Sequence, residues 1–173
     1  MGSVLARDLV GTWRLLSWEA IRPDGVVGHP LGPEVDGLVI YGADGWMSAA
    51  MMSRGRAPLT VGRARAAPEA ERAAAFDGFL TYSCRWRLVD DMLEHDVVVA
   101  LNPAMVGTQQ LRRARLEDGR LIVSTEDVVA GGVRRHRLAL RRVPPTADAV
   151  DRPTGTAPET APAQAATAQE SPT

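Results

Sequence analysis

Eight segments of this chain alternate polar and apolar residues with a period of two, and short runs rich in glycine and aspartate separate them. That period belongs to an extended strand, whose side chains point to opposite faces in turn. Connections this short join antiparallel neighbours, since a parallel pair needs a long crossover. The segments run over 10–21, 37–41, 45–51, 82–89, 92–101, 107–117, 120–127 and 133–142. Turns are marked by Pro23-Asp24-Gly25, the stretch 42–45, Asp90-Asp91, Asp118-Gly119 and Gly131-Gly132. One excursion breaks the rhythm. Residues 53–66 read as a mobile loop, and 68–76, opening on proline and acids, read as a short helix. The fold class is therefore all-β: an eight-stranded antiparallel up-and-down β-barrel with one short helix between strands 3 and 4. Closure is favoured because it removes exposed sheet edges. A β-sandwich is the competing architecture.

The barrel domain is expected over 1–143. From 144 to 173 proline, alanine and threonine dominate and no aromatic occurs. Such a segment buries too little apolar area to offset its ordering entropy and reads as a disordered acidic tail. Net charge is -1, all basic residues are arginine, and the strand arginines alternate as solvated faces, so nucleic acid is not an expected partner. The lone Cys84 excludes an internal disulfide. His29, His95 and His136 lack ligand spacing, so neither metal nor other cofactor is expected. No signal peptide or membrane span is legible, which makes a cytoplasmic location the expectation. Nucleophile-elbow, phosphate-loop and zinc-protease motifs are absent. A monomer or small homo-oligomer is expected.

Alternation also assigns faces. Placing Arg85 and Arg87 outside puts Tyr82, Cys84, Trp86 and Leu88 inside. Placing Glu94 and Asp96 outside puts Leu93, His95, Val97 and Val99 inside. Gln110, Arg112, Ala114 and Leu116 share an inward face, as do His136, Leu138 and Leu140. In the first strand Trp13, Leu15, Ser17 and Glu19 share a face, although a bulge would exchange the later members. The interior is then apolar with a few polar groups, the ordinary form of a small-molecule site. Candidate ligand contacts are Ser17, Glu19, Met47, Tyr82, Trp86, His95, Val97, Gln110, Arg112 and His136. The bland alternatives stay open: His95 and His136 as satisfied interior histidines, Arg112 ion-paired with Glu19, and Trp13 as packing at the barrel base. The loop and helix over 53–78 are placed to act as a lid.

G-T-W-R-L-L-S-W-E at 11–19 and G-L-V-I-Y-G-A-D-G-W-M-S-A at 37–49 resemble the bacterial and fungal lipocalin-like domain family. So do Y-S-C-R-W-R-L at 82–88, the His95 strand, N-P-A-M-V-G-T-Q-Q-L-R at 102–112 and D-G-R-L-I-V-S-T at 118–125. The resemblance implies a calycin-like barrel, often found beside secondary-metabolite pathways, with His95, Gln110 and Arg112 at recurrent polar positions. Cys84 and Trp86 depart from the usual smaller residue and tyrosine. Two functions follow as expectations. One is binding of a small hydrophobic or polycyclic metabolite, with Arg112, Gln110 and His95 holding an oxygen-bearing group. The other is a cofactor-independent cyclase or isomerase acting on a polyketide-like intermediate. There Arg112 would stabilise an oxyanion, and His95 or His136 would move a proton near neutral pH.

Overall fold

The computed structural model describes residues 4–145. A short helix α1 (Ala6–Leu9) leads into β1 (Gly11–Ile21), followed by the two-residue β2 (Val27–Gly28), β3 (Val35–Tyr41) and β4 (Trp46–Ser53). Helix α2 (Glu69–Asp77) separates β4 from β5 (Phe79–Val89). Then come β6 (Met92–Ala100), β7 (Gln109–Glu117), β8 (Arg120–Val129) and β9 (Gly132–Arg142). The eight long strands pair antiparallel in chain order, and β9 returns to pair with β1. The result is a closed barrel, with α2 between its third and fourth strands. Strand β2, unforeseen in the alternation, only extends β1 through Ala20↔Gly28 and Ile21↔Val27. The expected tail lies, beyond Pro145, outside the described residues. No helix among the described residues is long and apolar enough to cross a membrane.

Turn chemistry explains how the strands connect. Asp118 and Gly119 both take positive φ (49° and 73°), the conformation of the two-residue hairpin turn that matches strand twist. One end of the barrel is filled by Leu9, Trp13, Tyr41, Leu93, Leu121 and Leu140, all essentially without exposure. Helix α1 plugs this end. The Trp13 indole N–H donates to the Leu9 carbonyl at 2.7 Å, and the Arg142 guanidinium lies over the Trp13 ring, 4.2 Å from its centre. Arg142 Nη1 also donates to the Val10 carbonyl at 2.8 Å, tying the last strand to the first.

Three irregularities decide what faces inward. Between Leu15 and Ser17 the register of β1 against β9 shifts by one residue, so that Leu15 opposes Leu140 and Ser17 opposes Ala139. This bulge at Leu16 turns Trp18 and Ala20 inward with Leu138 and His136, and it places Ser17 and Glu19 on the outer face. A second bulge, between the partners of Ser83 and Cys84, absorbs Val98 in β6; Val99, expected inside, is 63% exposed in consequence. Leu116, expected beside Ala114, is 43% exposed because it overhangs the barrel end just before the hairpin. The third irregularity is a seam. The β7–β8 ladder stops at Arg113↔Ser124, so 109–112 and 125–129 are not laddered to each other. Thr125 Oγ1 bridges to the Leu111 carbonyl at 3.0 Å in place of a backbone pair.

Close approach of strands sets a testable constraint at Gly37. A Cβ there would sit 2.6 Å from the Ala50 carbonyl oxygen and 2.8 Å from Met51 Cα, both backbone atoms of β4. Gly37→Ala is expected to destabilise the barrel by about 1–3 kcal/mol through overpacking. Urea unfolding compared with the wild type checks this, and an unchanged midpoint would show that β3 and β4 have room to part.

Candidate functional site

The bulge at Leu16 and the inward faces of β3 to β9 enclose a cavity of about 230 Å³, partly open to solvent. Its walls are mostly apolar, with Val39, Met47, Met51, Leu80, Val123 and Leu138 among them. Polar side chains enter from two groups.

The first is centred on His95, which is 1% exposed. Its Nδ1 lies 3.1 Å from the Tyr82 hydroxyl and its Nε2 lies 3.4 Å from the Tyr41 hydroxyl. Burial, reinforced by the positive Arg112 nearby, pushes the imidazole down to about 3. A neutral imidazole has one N–H and one lone pair, so one tyrosine donates to the ring and the other accepts from it. Burial raises both phenols above their ordinary value, well above it for Tyr41, and the Arg112 charge partly opposes the rise. Both tyrosines therefore stay protonated. Arg112 lines the same wall beside Tyr82 and Gln110, and Gln110 Nε2 donates to Thr108 Oγ1 at 2.8 Å. None of the ion pairs among the described residues involves Arg112.

The second group closes on His136. Trp18 Nε1–H, which can only donate, gives its hydrogen bond to His136 Nδ1 at 3.1 Å. The ring proton therefore sits on Nε2, which donates to Asp127 Oδ2 at 3.0 Å. Arg134 Nη2 donates to the same oxygen at 3.0 Å, and together Arg134 and His136 hold the Asp127 carboxyl below its usual range. Arg134 Nε is buried without a hydrogen-bond partner among the described residues.

Of the residues anticipated from sequence, Met47, Tyr82, His95, Gln110, Arg112 and His136 border the cavity. Trp86 and Val97 are buried but lie behind its wall. Trp86 packs edge-on against Tyr41, with ring centres 4.9 Å apart, and donates to the Gly42 carbonyl at 3.0 Å. Ser17 and Glu19 do not reach the cavity, for the reason given by the bulge, so Glu19 is no partner for Arg112. Trp18, Tyr41, Asp127 and Arg134 line the site and were missed. Tyr41 was within reach of alternation, sharing a face with Val39. Asp127 and Arg134 required the register of the β8–β9 hairpin, which sets them opposite each other.

The chemistry open to this arrangement is narrower than the histidines suggested. Burial keeps the His95 ring neutral, and both ring nitrogens of His95 and of His136 are engaged, so neither histidine offers a free ring nitrogen to the cavity. Cys84 is buried, with its thiol pushed up to about 12, and is no nucleophile at neutral pH. Among the described residues no cluster of three His, Cys, Asp or Glu side chains is placed to hold a metal ion. What the cavity offers is a cation, a protonated phenol and an amide at one end of an apolar chamber.

Comparison with known proteins adds the following. The profile of the lipocalin-like domain family matches residues 10–142. No curated protein matches the chain. Among solved structures, an uncharacterized protein from Bacteroides eggerthii is similar at 14% identity and a TM-score of 0.40, over 78% of this chain and 99% of that one.

The buried, depressed His95 has a consequence for stability. Between the ordinary imidazole value of 6.5 and about 3, the unfolded chain holds a proton on this residue that the folded barrel lacks. Its contribution is complete above the unfolded value and is lost as pH falls, with a slope of about 1.4 kcal/mol per pH unit. Urea unfolding from pH 3.5 to 7 is expected to show a one-proton steeper acid loss in the wild type than in His95→Gln. Coincident slopes would mean that His95 is protonated in the folded state.

Proposed function

The chain belongs to the lipocalin-like domain family, and on that premise we propose that its barrel binds a small hydrophobic molecule carrying an acidic oxygen function. The observation that carries this reading is Arg112. Its guanidinium lines a mostly apolar cavity and has no carboxylate partner among the described residues. A partly desolvated cation is costly without a counter-charge. A carboxylate or enolate of the ligand supplies one. The Tyr82 hydroxyl and the Gln110 side chain lie on the same wall to complete its hydrogen bonds, while the apolar wall opposite takes the body of the molecule.

A second reading, a cofactor-free cyclase or isomerase acting on a polyketide-like intermediate, is favoured by one detail. The Tyr82 phenol is held by His95 at 3.1 Å and sits beside Arg112. A protonated phenol next to a guanidinium is suited to stabilising an oxyanion as it forms. In this version Tyr82 donates a hydrogen bond to the developing oxyanion, Arg112 supplies the charge, and His95 orients the phenol. Folding a flexible substrate into a shaped chamber contributes further to the rate.

Organic extraction of the purified protein with mass spectrometry is expected to release an acidic, largely apolar compound. Arg112→Met is expected to weaken its binding by about 1.5–3 kcal/mol, the usual contribution of a hydrogen bond to a charged group. Tryptophan fluorescence titration measures the loss. Equal affinity of wild type and variant, or equal binding of an acid and its neutral ester, would overturn the assignment of Arg112.

A further inference from the structure

The geometry points to an elongated amphipathic anion as the ligand, with its head at Arg112 and its apolar arm passing through a neck into a second chamber beside α2. This rests on the reading of Arg112 as the head-group contact and specifies the ligand's shape. Trp18, Leu80 and Met105 border the inner cavity on one side. The same three residues border a separate depression of about 270 Å³ on the other. They stand between the two chambers, as the neck that the ligand's arm would pass. Beyond the neck the walls are Leu31, Phe76, Phe79 and Leu101, with Asp77, Thr81 and Asn102 adding polar atoms.

Three observations favour a single ligand spanning both chambers. The inner cavity, at about 230 Å³, falls below the ~300–1,000 Å³ of ordinary small-molecule sites, and only with the outer chamber is that range reached. Polarity is graded along the path. The inner cavity holds the unpaired Arg112, its one carboxylate, Asp127, being paired with Arg134 and His136, while the one titratable group of the outer chamber is Asp77, an acid that disfavours an anionic head there. Finally, α2 buries none of its residues, and Phe76 near its end is 48% exposed over the outer chamber. An aromatic ring that the core does not need stands where an apolar arm would cover it.

Calorimetric titration with butanoate, octanoate, dodecanoate and dodecanol tests this. For the wild type, affinity is expected to rise by about fourfold per methylene from octanoate to dodecanoate, the increment of a buried CH₂. Phe76→Glu changes a half-exposed side chain and is expected to reduce dodecanoate affinity at least about tenfold and to flatten the increments beyond octanoate. Leu80→Trp, which fills the neck, is expected to do the same, with circular dichroism confirming that it folds. Wild-type increments that stop at octanoate, or increments that survive in both variants, would overturn the two-chamber ligand while leaving Arg112 untouched. The head-group reading fails separately if dodecanol binds as tightly as dodecanoate and Arg112→Met changes neither. Absence of binding by every carboxylate overturns both.

Discussion

Everything in this molecule depends on β9 returning to β1. The two strands pair from Trp13↔Arg142 to Ile21↔Arg135, and that ladder converts a meander with two free edges into a cylinder. Once the wall is closed, a residue pointing inward has no route to bulk water except through the open end. Polar groups on the inner face must then satisfy one another. His95 does so with two tyrosines, and His136 with Trp18 and Asp127. Arg112 alone among the charged lining residues has no such arrangement, and the functional argument follows from that exception.

The two histidines are the residues a chemist would first suspect, and the structure holds both in hydrogen-bond networks. Each has its two ring nitrogens occupied, and each orients a neighbour: the Tyr82 phenol in one case, the Asp127 carboxylate in the other. Polar networks with every member satisfied rigidify an interior and define the shape of the space they surround. Here they leave a mostly apolar chamber entered by two polar groups, one around His95 and one around His136. The end plugged by α1 and Trp13 is packed, and the inner wall of β7, β8 and β9 carries polar side chains.

Much of this was legible in the residues. Strand boundaries, the helical excursion and closure followed from alternation and turn chemistry, and the inward set Tyr82, Cys84, Trp86 followed from the arginines between them. His136, Leu138 and Leu140 were read in the same way. The reversed faces in β1 and β6 share one cause. Ser17, Glu19 and Val99 were misplaced because each lies beyond a bulge, and a bulge is decided by the partner strand rather than by the strand that carries it. Alternation counts residues along one strand and is blind to an extra one. The Asp127–Arg134 pair was likewise invisible until the hairpin between β8 and β9 set its register. Most of the polar lining was thus written in single strands, whereas Trp18, Asp127 and Arg134 depended on strand pairing.

The surplus residue at Leu16 has a meaning for heredity as well as for geometry. Beyond it, the facing of β1 answers to β9 and not to the number of residues counted from the start of the chain. Loss of the one surplus residue would restore plain alternation and leave Trp18 facing inward. In β8, paired with β9 without interruption from Arg120 to Val129, the same event would slip the register and turn the lining inside out. The barrel therefore answers differently to a change of length in two strands that line the same cavity.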